Sequence, residues 1–455
     1  MKSSLAVLQT VVRGASMKID AAFDGVSTDS RNLSSGNLFV ALRGERFDAH
    51  DFLPQVSEHK VAAVVAEKIP QGFNVPALVV PDTRIALGEI AHYWRERFDL
   101  PLIGVTGSNG KTTVKEMIAA VLDAAFGTNN YLATRGNFNN DIGVPLTLMR
   151  LNDACKAAVV ELGMNHPGEI DVLSQIAQPT VGLVNNAQRE HQEFMTSVEA
   201  VAMENGTVLR NLPASGTAVF PADDPYTSLW RGYAEHCKVM TFGLSDDADV
   251  RCTHVANVFG SDLQITASGR QFAIRLNAAG LHNVRNALAA IACTLAIGIP
   301  VEAIVNGLQA FAPFNGRLQR KLAVNGAQVI DDTYNANPDS VRAAIDVLAQ
   351  TAAPRILVLG DMGEVGNDGR QYHEEVGAYA HACGVDRVLT LGELARHTSD
   401  AFGAQAVHCN NVEQLNEALD AFINSTATVL VKGSRFMKME RVVQHLLGQQ
   451  IQEGH

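Results

Sequence analysis

Glycines at 104, 107 and 110 stand just ahead of Lys111, Thr112 and Thr113 in the stretch GVTGSNGKTT. An apolar run from Leu100 to Val105, interrupted only by Pro101, precedes the last two glycines. After the loop, Val114, Met117, Ile118, Val121 and Leu122 form an apolar stripe at helical spacing. The segment therefore reads as a strand, a glycine loop and a helix. Such a loop aims backbone N–H groups and the positive end of a helix dipole at one spot, which suits a phosphate. Lys111 would reach the terminal phosphates, and Thr112 or Thr113 would offer a hydroxyl to Mg2+. Gly107, Ser108, Asn109 and Gly110 join these three as expected nucleotide contacts. The strict spacing G-x-x-x-x-G-K-[ST] is not met; what stands is G-x-x-G-K-T-T.

Other residues with usable chemistry lie at the ends of apolar runs. Glu161 follows Ala157–Val160, where an acid can meet a metal held by the loop threonine. His191 comes a few residues after Val181–Val184, as a metal ligand or a phosphate donor. The stretch TRGNFNNDIGVP, Thr134–Pro145, supplies Asn137, Asn139 and Asn140, whose amides suit polar uncharged edges such as sugars and peptides, and Asp141 adds one charge. In AGLHNVRN, Asn283 and Asn286 share one face at a helix start, to read a base edge or to cap the helix. Arg317 follows Gly316 at a boundary, a position suited to a phosphate clamp delivered by domain closure. DDTYNANP (Asp331–Pro338) and KGSR (Lys432–Arg435) each follow a strand, where α/β sheets bind ligands.

The elements that must position these residues alternate strand and helix throughout. At roughly 150 residues per domain, 455 residues suggest about three domains. Short strands at Leu38–Leu42, Val61–Ala66 and Ala77–Val80, with a helix around Asp51–His59, make a small α/β unit over 1–82. Asp82 caps a helix reaching about Phe98, with Ile85, Ile90 and Trp94 among its apolar positions. The second unit, 83–312, holds the glycine loop, two buried parallel strands, an antiparallel extension between Ala218 and Leu276 with turns at Phe220–Asp224, Gly260–Asp262 and Ser268–Gly269, and an alanine-rich helix from Asn283 to Leu295. The third, 313–455, has strands at Gln328–Ile330, Arg355–Leu359, Arg387–Leu391 and Thr428–Val431. Its helices fall at about 338–350, 370–383 and 412–423, the first capped by Asn337 ahead of Pro338.

A net charge of -12 argues against a nucleic-acid or membrane-surface partner, so local donors must hold any anion. Six scattered cysteines without a C-x-x-C pair fit buried thiols in a reducing compartment. MKSSLAVLQTVVRG reads as a first helix rather than a signal peptide, and no apolar run approaches the ~18 residues of a membrane span. The expected location is the cytoplasm, without membrane insertion.

Across nearly the whole chain these motifs resemble the Mur ligase family, the ATP-dependent amide ligases of peptidoglycan synthesis. The resemblance runs through STDSR (Ser27–Arg31), LFVALRGERFDAHDF, TGSNGKTT, GNFNNDIGVPLTL, VELGMNHPGEI, GLHNVRNALAA, DDTYNANPDS, LGDMGEVG and VKGSR. DDTYNANP and LGDMGEVG resemble the branch that adds a terminal D-alanyl-D-alanine, and the D-N-P-R signature of the diaminopimelate-adding branch is absent. The family implies a small N-terminal α/β domain holding UDP, a central P-loop ATPase and a C-terminal Rossmann-like domain that closes over the site. It implies ATP and Mg2+ as cofactors, UDP-MurNAc-tripeptide and D-Ala-D-Ala as substrates, and, as an expectation, a monomer.

By the same resemblance Lys111, Glu161, His191 and Arg317 are catalytic, and Thr112, Glu161 and His191 bind metal. Asn283, Asp332 and Tyr334 would face the nucleotide. Ser27, Asp29, Ser30 and Arg31 would hold the UDP moiety, with Asn137, Asn139, Asn140, Asn335 and Asn337 toward the remaining substrate. The family usually carries a lysine that becomes carbamylated and supports a second Mg2+; by spacing from His191 that lysine falls on Asn205, which carries no carbamate. The expected consequence is turnover independent of bicarbonate, with Asn205 or Glu204 compensating, or the second metal held more weakly. A folylpolyglutamate synthase would share the nucleotide core but would leave STDSR and LFVALRGERFDAHDF without a purpose. A nucleotide-switched binding protein is the reading outside enzymes.

Overall fold

A computed structural model of the chain describes residues 1–44, 47–190, 192–257, 259–314 and 316–449. Among the described residues, three sheets of five or more strands follow one another along the chain, beside one two-stranded pair near the N-terminus. The first has five strands within residues 16–79, in the order Ser16–Met17, Ala77–Val79, Ala63–Ala66, Leu38–Val40, Val26–Ser27. The helix expected near the N-terminus spans only Leu5–Val11, because Lys2–Ser4 pairs as a short strand with Ala22–Asp24. The expected helix at Asp51–His59 is a 3-10 turn, Ala49–Phe52, running into Leu53–Glu58.

Asp82 caps the next helix as its residue type predicts, its carboxylate accepting from the N–H groups of Arg84 and Ile85. That helix, Thr83–Arg95, buries Leu87 and Ile90 but leaves Ile85 62% exposed, so Ile85 is not a core position. It packs against helices Gly143–Leu148 and Glu169–Ala177 of the following unit.

The central sheet has nine strands. Third from one edge is β1 (Leu102–Thr106), flanked by β2 (Ala157–Glu161) and β3 (Val181–Val184), both parallel to it. All three are buried along their length, as the uninterrupted apolar runs imply. Register places Glu161 opposite Val105 and Val184 opposite Thr106, so the three carboxyl ends finish level. Beyond β3 the strands Thr217–Pro221 and Lys238–Gly243 remain parallel. The antiparallel extension begins only at Val250–Asn257, which pairs with Gly260–Ala267. Gly260–Asp262 thus opens a strand, Phe220 and Pro221 end one with the chain bending only over 222–224, and Ser268 and Gly269 form the expected turn, both at positive φ.

Helix α1 (Lys111–Phe126) leaves the glycine loop and packs on α3 (Leu281–Ala296); α2 (Val198–Arg210) lies across the sheet's other face. The third sheet has six strands, centred on β4 (Gln328–Asp332), β6 (Thr428–Lys432) and β5 (Arg355–Gly360), with β6 between the other two. Its edge strands Gln319–Leu322 and Ala406–Cys409 have no counterpart in the sequence reading. Helix α4 (Pro338–Ala349) starts on a complete capping box, Asn337 and Ser340 each serving the other's backbone.

Candidate active site

Where β1, β2 and β3 end together, a cleft of about 910 Å3 opens between the central and third units. The strand order reverses beside β1, the place where open α/β sheets bind ligands. The glycine loop forms its floor, and neighbouring amides hold that loop in shape. The Gly107 N–H donates to Asn205 Oδ1 at 2.9 Å, the Ser108 N–H to the Asn186 carbonyl at 3.2 Å, and the Asn109 N–H to Asn186 Oδ1 at 2.9 Å. Those three N–H groups are therefore occupied within the protein. Among the described residues, the N–H groups of Gly110, Lys111, Thr112 and Thr113 have no acceptor, so the open donors sit at the first turn of α1. Gly110 has φ +81, and a Cβ there would meet Asn286 Oδ1 at 2.4 Å, so only glycine lets the loop turn against α3.

Lys111 Nζ donates to the carbonyls of Gly107 and Ser108 and lies 3.2 Å from Glu190 Oε2. The Thr112 hydroxyl donates to Glu161 Oε1 at 3.3 Å; of the two threonines left open by the sequence, Thr112 is the one that meets the acid. Glu161 is 3% exposed, also accepts from Asn139 Nδ2 at 2.8 Å, and keeps Oε2 without a partner among the described residues. A buried carboxylate oxygen with nothing to accept from, beside a hydroxyl, is a hard-oxygen donor set suited to Mg2+. His191 lies outside the described residues. No group of three or more His, Cys, Asp or Glu able to hold a metal occurs among the described residues.

The third unit supplies the opposite wall. Arg317 reaches across to the Thr112 hydroxyl at 3.4 Å, stacks 4.0 Å over the Tyr334 ring, and has a buried Nε without a partner. The turn carrying it is fixed by Asp332, which accepts from the Leu318 N–H at 3.1 Å and from Lys432 Nζ at 2.5 Å. Both Asp332 oxygens are thus engaged. Burial pulls the Lys432 pKa down against the pull of Asp332, and burial lowers that of His282 to about 4, leaving it neutral. Asn337 donates to Asn109 Oδ1 at 2.9 Å while capping α4, joining the third unit to the loop itself.

The remaining expected residues divide. Asn137, Asn139 and Asn140 line the cleft, with Asn140 Oδ1 accepting from the Gly143 N–H at 2.9 Å. Asn283 and Asn335 line it too, but Asn335 Oδ1 accepts from the Ala336 N–H. Asn286 spends both ends of its amide on Asn185 and Asn283, so it ties the end of β3 to α3 rather than presenting an edge to a base. Ser27, Asp29, Ser30 and Arg31 are not brought to this cleft. Asp29 and Arg31 pair with each other at 3.0 Å near the surface, which holds the Asp29 pKa below its usual value.

Motif reading passed over Arg189 and Glu190. Arg189 grips Asp339 of α4 with its guanidinium and its backbone N–H, and Glu375 at 2.8 Å, while packing 5.1 Å over the Tyr372 ring. These partners, Asp339 foremost, raise its pKa. A charged pair directly before His191, after a buried strand, was the available signal.

Three family models match the chain: "Mur ligase family, catalytic domain" over 22–95, "Mur ligase middle domain" over 105–294 and "Mur ligase, glutamate ligase domain" over 316–435. The chain is 38% identical over 448 residues to the UDP-N-acetylmuramoyl-tripeptide--D-alanyl-D-alanine ligase of Escherichia coli (strain K12), covering 97% of this chain and 98% of that one. The ligase of the same name from Haemophilus influenzae (strain ATCC 51907 / DSM 11121 / KW20 / Rd) is 38% identical, covering 92% and 93%. A crystal structure of MurF from Acinetobacter baumannii superposes with a TM-score of 0.92 at 34% identity, covering 99% of both chains.

Proposed function

This chain belongs to the Mur ligase family, and from that premise we propose that it joins D-alanyl-D-alanine to the terminal carboxylate of UDP-N-acetylmuramoyl-tripeptide at the expense of ATP. Relatives aligned over nearly the full length carry that name, which sets aside folylpolyglutamate synthase and a non-ligating switch. The observation that carries the reading is the run of four open N–H groups at Gly110–Thr113 facing Arg317 across a domain junction.

A carboxylate is a poor electrophile. Transfer of the γ-phosphoryl group to it gives an acyl phosphate, and attack by the dipeptide amine forms the amide and releases phosphate. Charge neutralisation and positioning supply most of the catalysis in phosphoryl transfer. In this chain the N–H groups of residues 110–113 would cradle the phosphates, Lys111 would exchange its carbonyl partners for phosphate oxygens, and Arg317 would meet the transferring group from the closing side. Thr112 and Glu161 fit Mg2+ through the unpartnered Glu161 oxygen, with His191 assigned alongside them. Bound there, the cation would neutralise phosphate charge. Asn139 orients Glu161. The amides of Asn137 and Asn140 would meet the peptide, with Asn335 and Asn337 on the facing wall. Asn283, Asp332 and Tyr334 would border the nucleotide, and Ser27, Asp29, Ser30 and Arg31 would hold UDP.

We assign 1–82 to UDP binding, 83–312 to the ATPase and 313–455 to the closing domain, in a cytoplasmic monomer. Among the described residues no helix is long and apolar enough to cross a membrane. The test is phosphate release from the purified protein with ATP, D-Ala-D-Ala and UDP-MurNAc-tripeptides bearing diaminopimelate or lysine. The expected result is release with D-Ala-D-Ala and none with glutamate; no release with either tripeptide overturns the assignment.

A further inference from the structure

Glu190 is 7% exposed, lines the cleft and occupies a particular place in it. One carboxylate oxygen faces Lys111 Nζ at 3.2 Å and the other accepts from Asn205 Nδ2 at 3.3 Å. Asn205 itself offers the cleft nothing. It is 1% exposed, its oxygen is committed to the Gly107 N–H, and it is not among the lining residues. Glu204 is directed elsewhere, accepting from the Ile170 N–H at the start of helix Glu169–Ala177. Of these three, Glu190 alone brings oxygen atoms into the cleft beside the lysine that would grip a phosphate.

The pairing of Lys111 with Glu190 keeps two nearly buried charges neutral. Terminal phosphates compete for Lys111, whose Nζ would leave Glu190 Oε2 as it turns to them. A divalent cation travelling with the phosphates suits that carboxylate oxygen, because Mg2+ in such sites takes one or two carboxylates together with phosphate oxygens and water. Arg189, the adjoining residue, is anchored to Asp339 and Glu375 of the closing domain, so the backbone at Glu190 is fixed when the domains are together.

We propose that Glu190 is an acidic ligand of the divalent cation that accompanies the nucleotide phosphates, meeting it as Lys111 moves to those phosphates. The chain then needs no modified lysine at position 205. The proposal rests on the ATP-dependent reading.

The test uses the full-length protein, Mn2+ as the probe and β,γ-methylene ATP, with protein-bound Mn2+ followed by electron paramagnetic resonance. Glu190→Gln, melting as the parent does, is expected to weaken retention of Mn2+ with the nucleotide at least tenfold while leaving metal-free nucleotide binding unchanged or tighter. Glu190→Asp should retain part of the Mn2+ affinity, and Glu204→Gln all of it. Parent turnover should ignore removal of carbon dioxide. Parental Mn2+ retention in Glu190→Gln, or equal loss of nucleotide with and without metal, would overturn the proposal, as would turnover that bicarbonate restores. A parent protein that binds no nucleotide would instead overturn the ATP-dependent reading, and this proposal with it.

Discussion

Two histidines near the cleft and its lid report on protonation in a way single residues can test. His373 is fully buried with both ring nitrogens assigned: Nδ1 donates to the Gly369 carbonyl at 2.7 Å and Nε2 accepts from the Met362 N–H at 3.1 Å. A second ring proton would remove that acceptor, and burial lowers its pKa. His282 is lowered further, from 6.5 to about 4, by burial, against the attraction of Asp332. Because the folded values lie below the unfolded ones, the unfolded chain binds more protons between about pH 4 and 6.5. Stability therefore rises with pH across that window; His282 contributes in full above 6.5 and has lost its contribution below about 4. Melting temperatures measured from pH 4 to 7 should climb, and His282→Gln should flatten the climb, with His373 leaving a residual slope. An unchanged slope in His282→Gln would show the titration to lie elsewhere.

At the scale of elements, α4 carries polar interdomain contacts on its cap and first turn, at Asn337 and Asp339. Asn337 serves as N-cap and as the partner of Asn109, so Asn337→Ala removes a cap, costing about 1 kcal/mol of stability, and also a direct tie to the phosphate loop. Melting should fall modestly while the KM for ATP rises severalfold; Asn337→Asp, which keeps the cap oxygen, should recover the melting temperature but not the KM. This helix start was legible because Asn-Pro has a local mechanism. Buried parallel strands were legible as apolar runs for the same reason. The edge strand Gln319–Leu322, reading QRKL, was not, because its side chains face largely outward and its pairing with β4 is decided by the partner. Ile85 misled because one apolar residue on a helix does not reveal which face packs. Glu190 stayed hidden because its partners, Lys111 and Asn205, are 79 and 15 residues away.

Over the whole molecule, the junction between central and third domains is polar: Arg189 with Asp339 and Glu375, Asn109 with Asn337, and Arg317 with Thr112. Arg189→Met removes the guanidinium's hydrogen bonds to both carboxylates and leaves the backbone N–H on Asp339. With such charge-assisted bonds worth about 1.5–3 kcal/mol, the balance should shift toward separated domains by roughly tenfold or more, seen as a larger radius of gyration in solution scattering. No change in radius would assign closure to the other contacts.

The first and central domains meet differently. One apolar cluster runs from Leu5 and Leu8 through Leu87 and Ile90 to Leu162, Phe220 and Trp230, crossing the boundary along helix Thr83–Arg95. The third domain's cores join that cluster nowhere, and take in from the central domain only Ala279, ahead of α3. The span from segment 27–31 to Lys111 is therefore set by packed hydrocarbon, as the jaws of a fixed gauge are set by its frame. A ligand anchored at both ends is measured for length before any side chain along it is read, and only the group arriving on the third domain is free of that measurement.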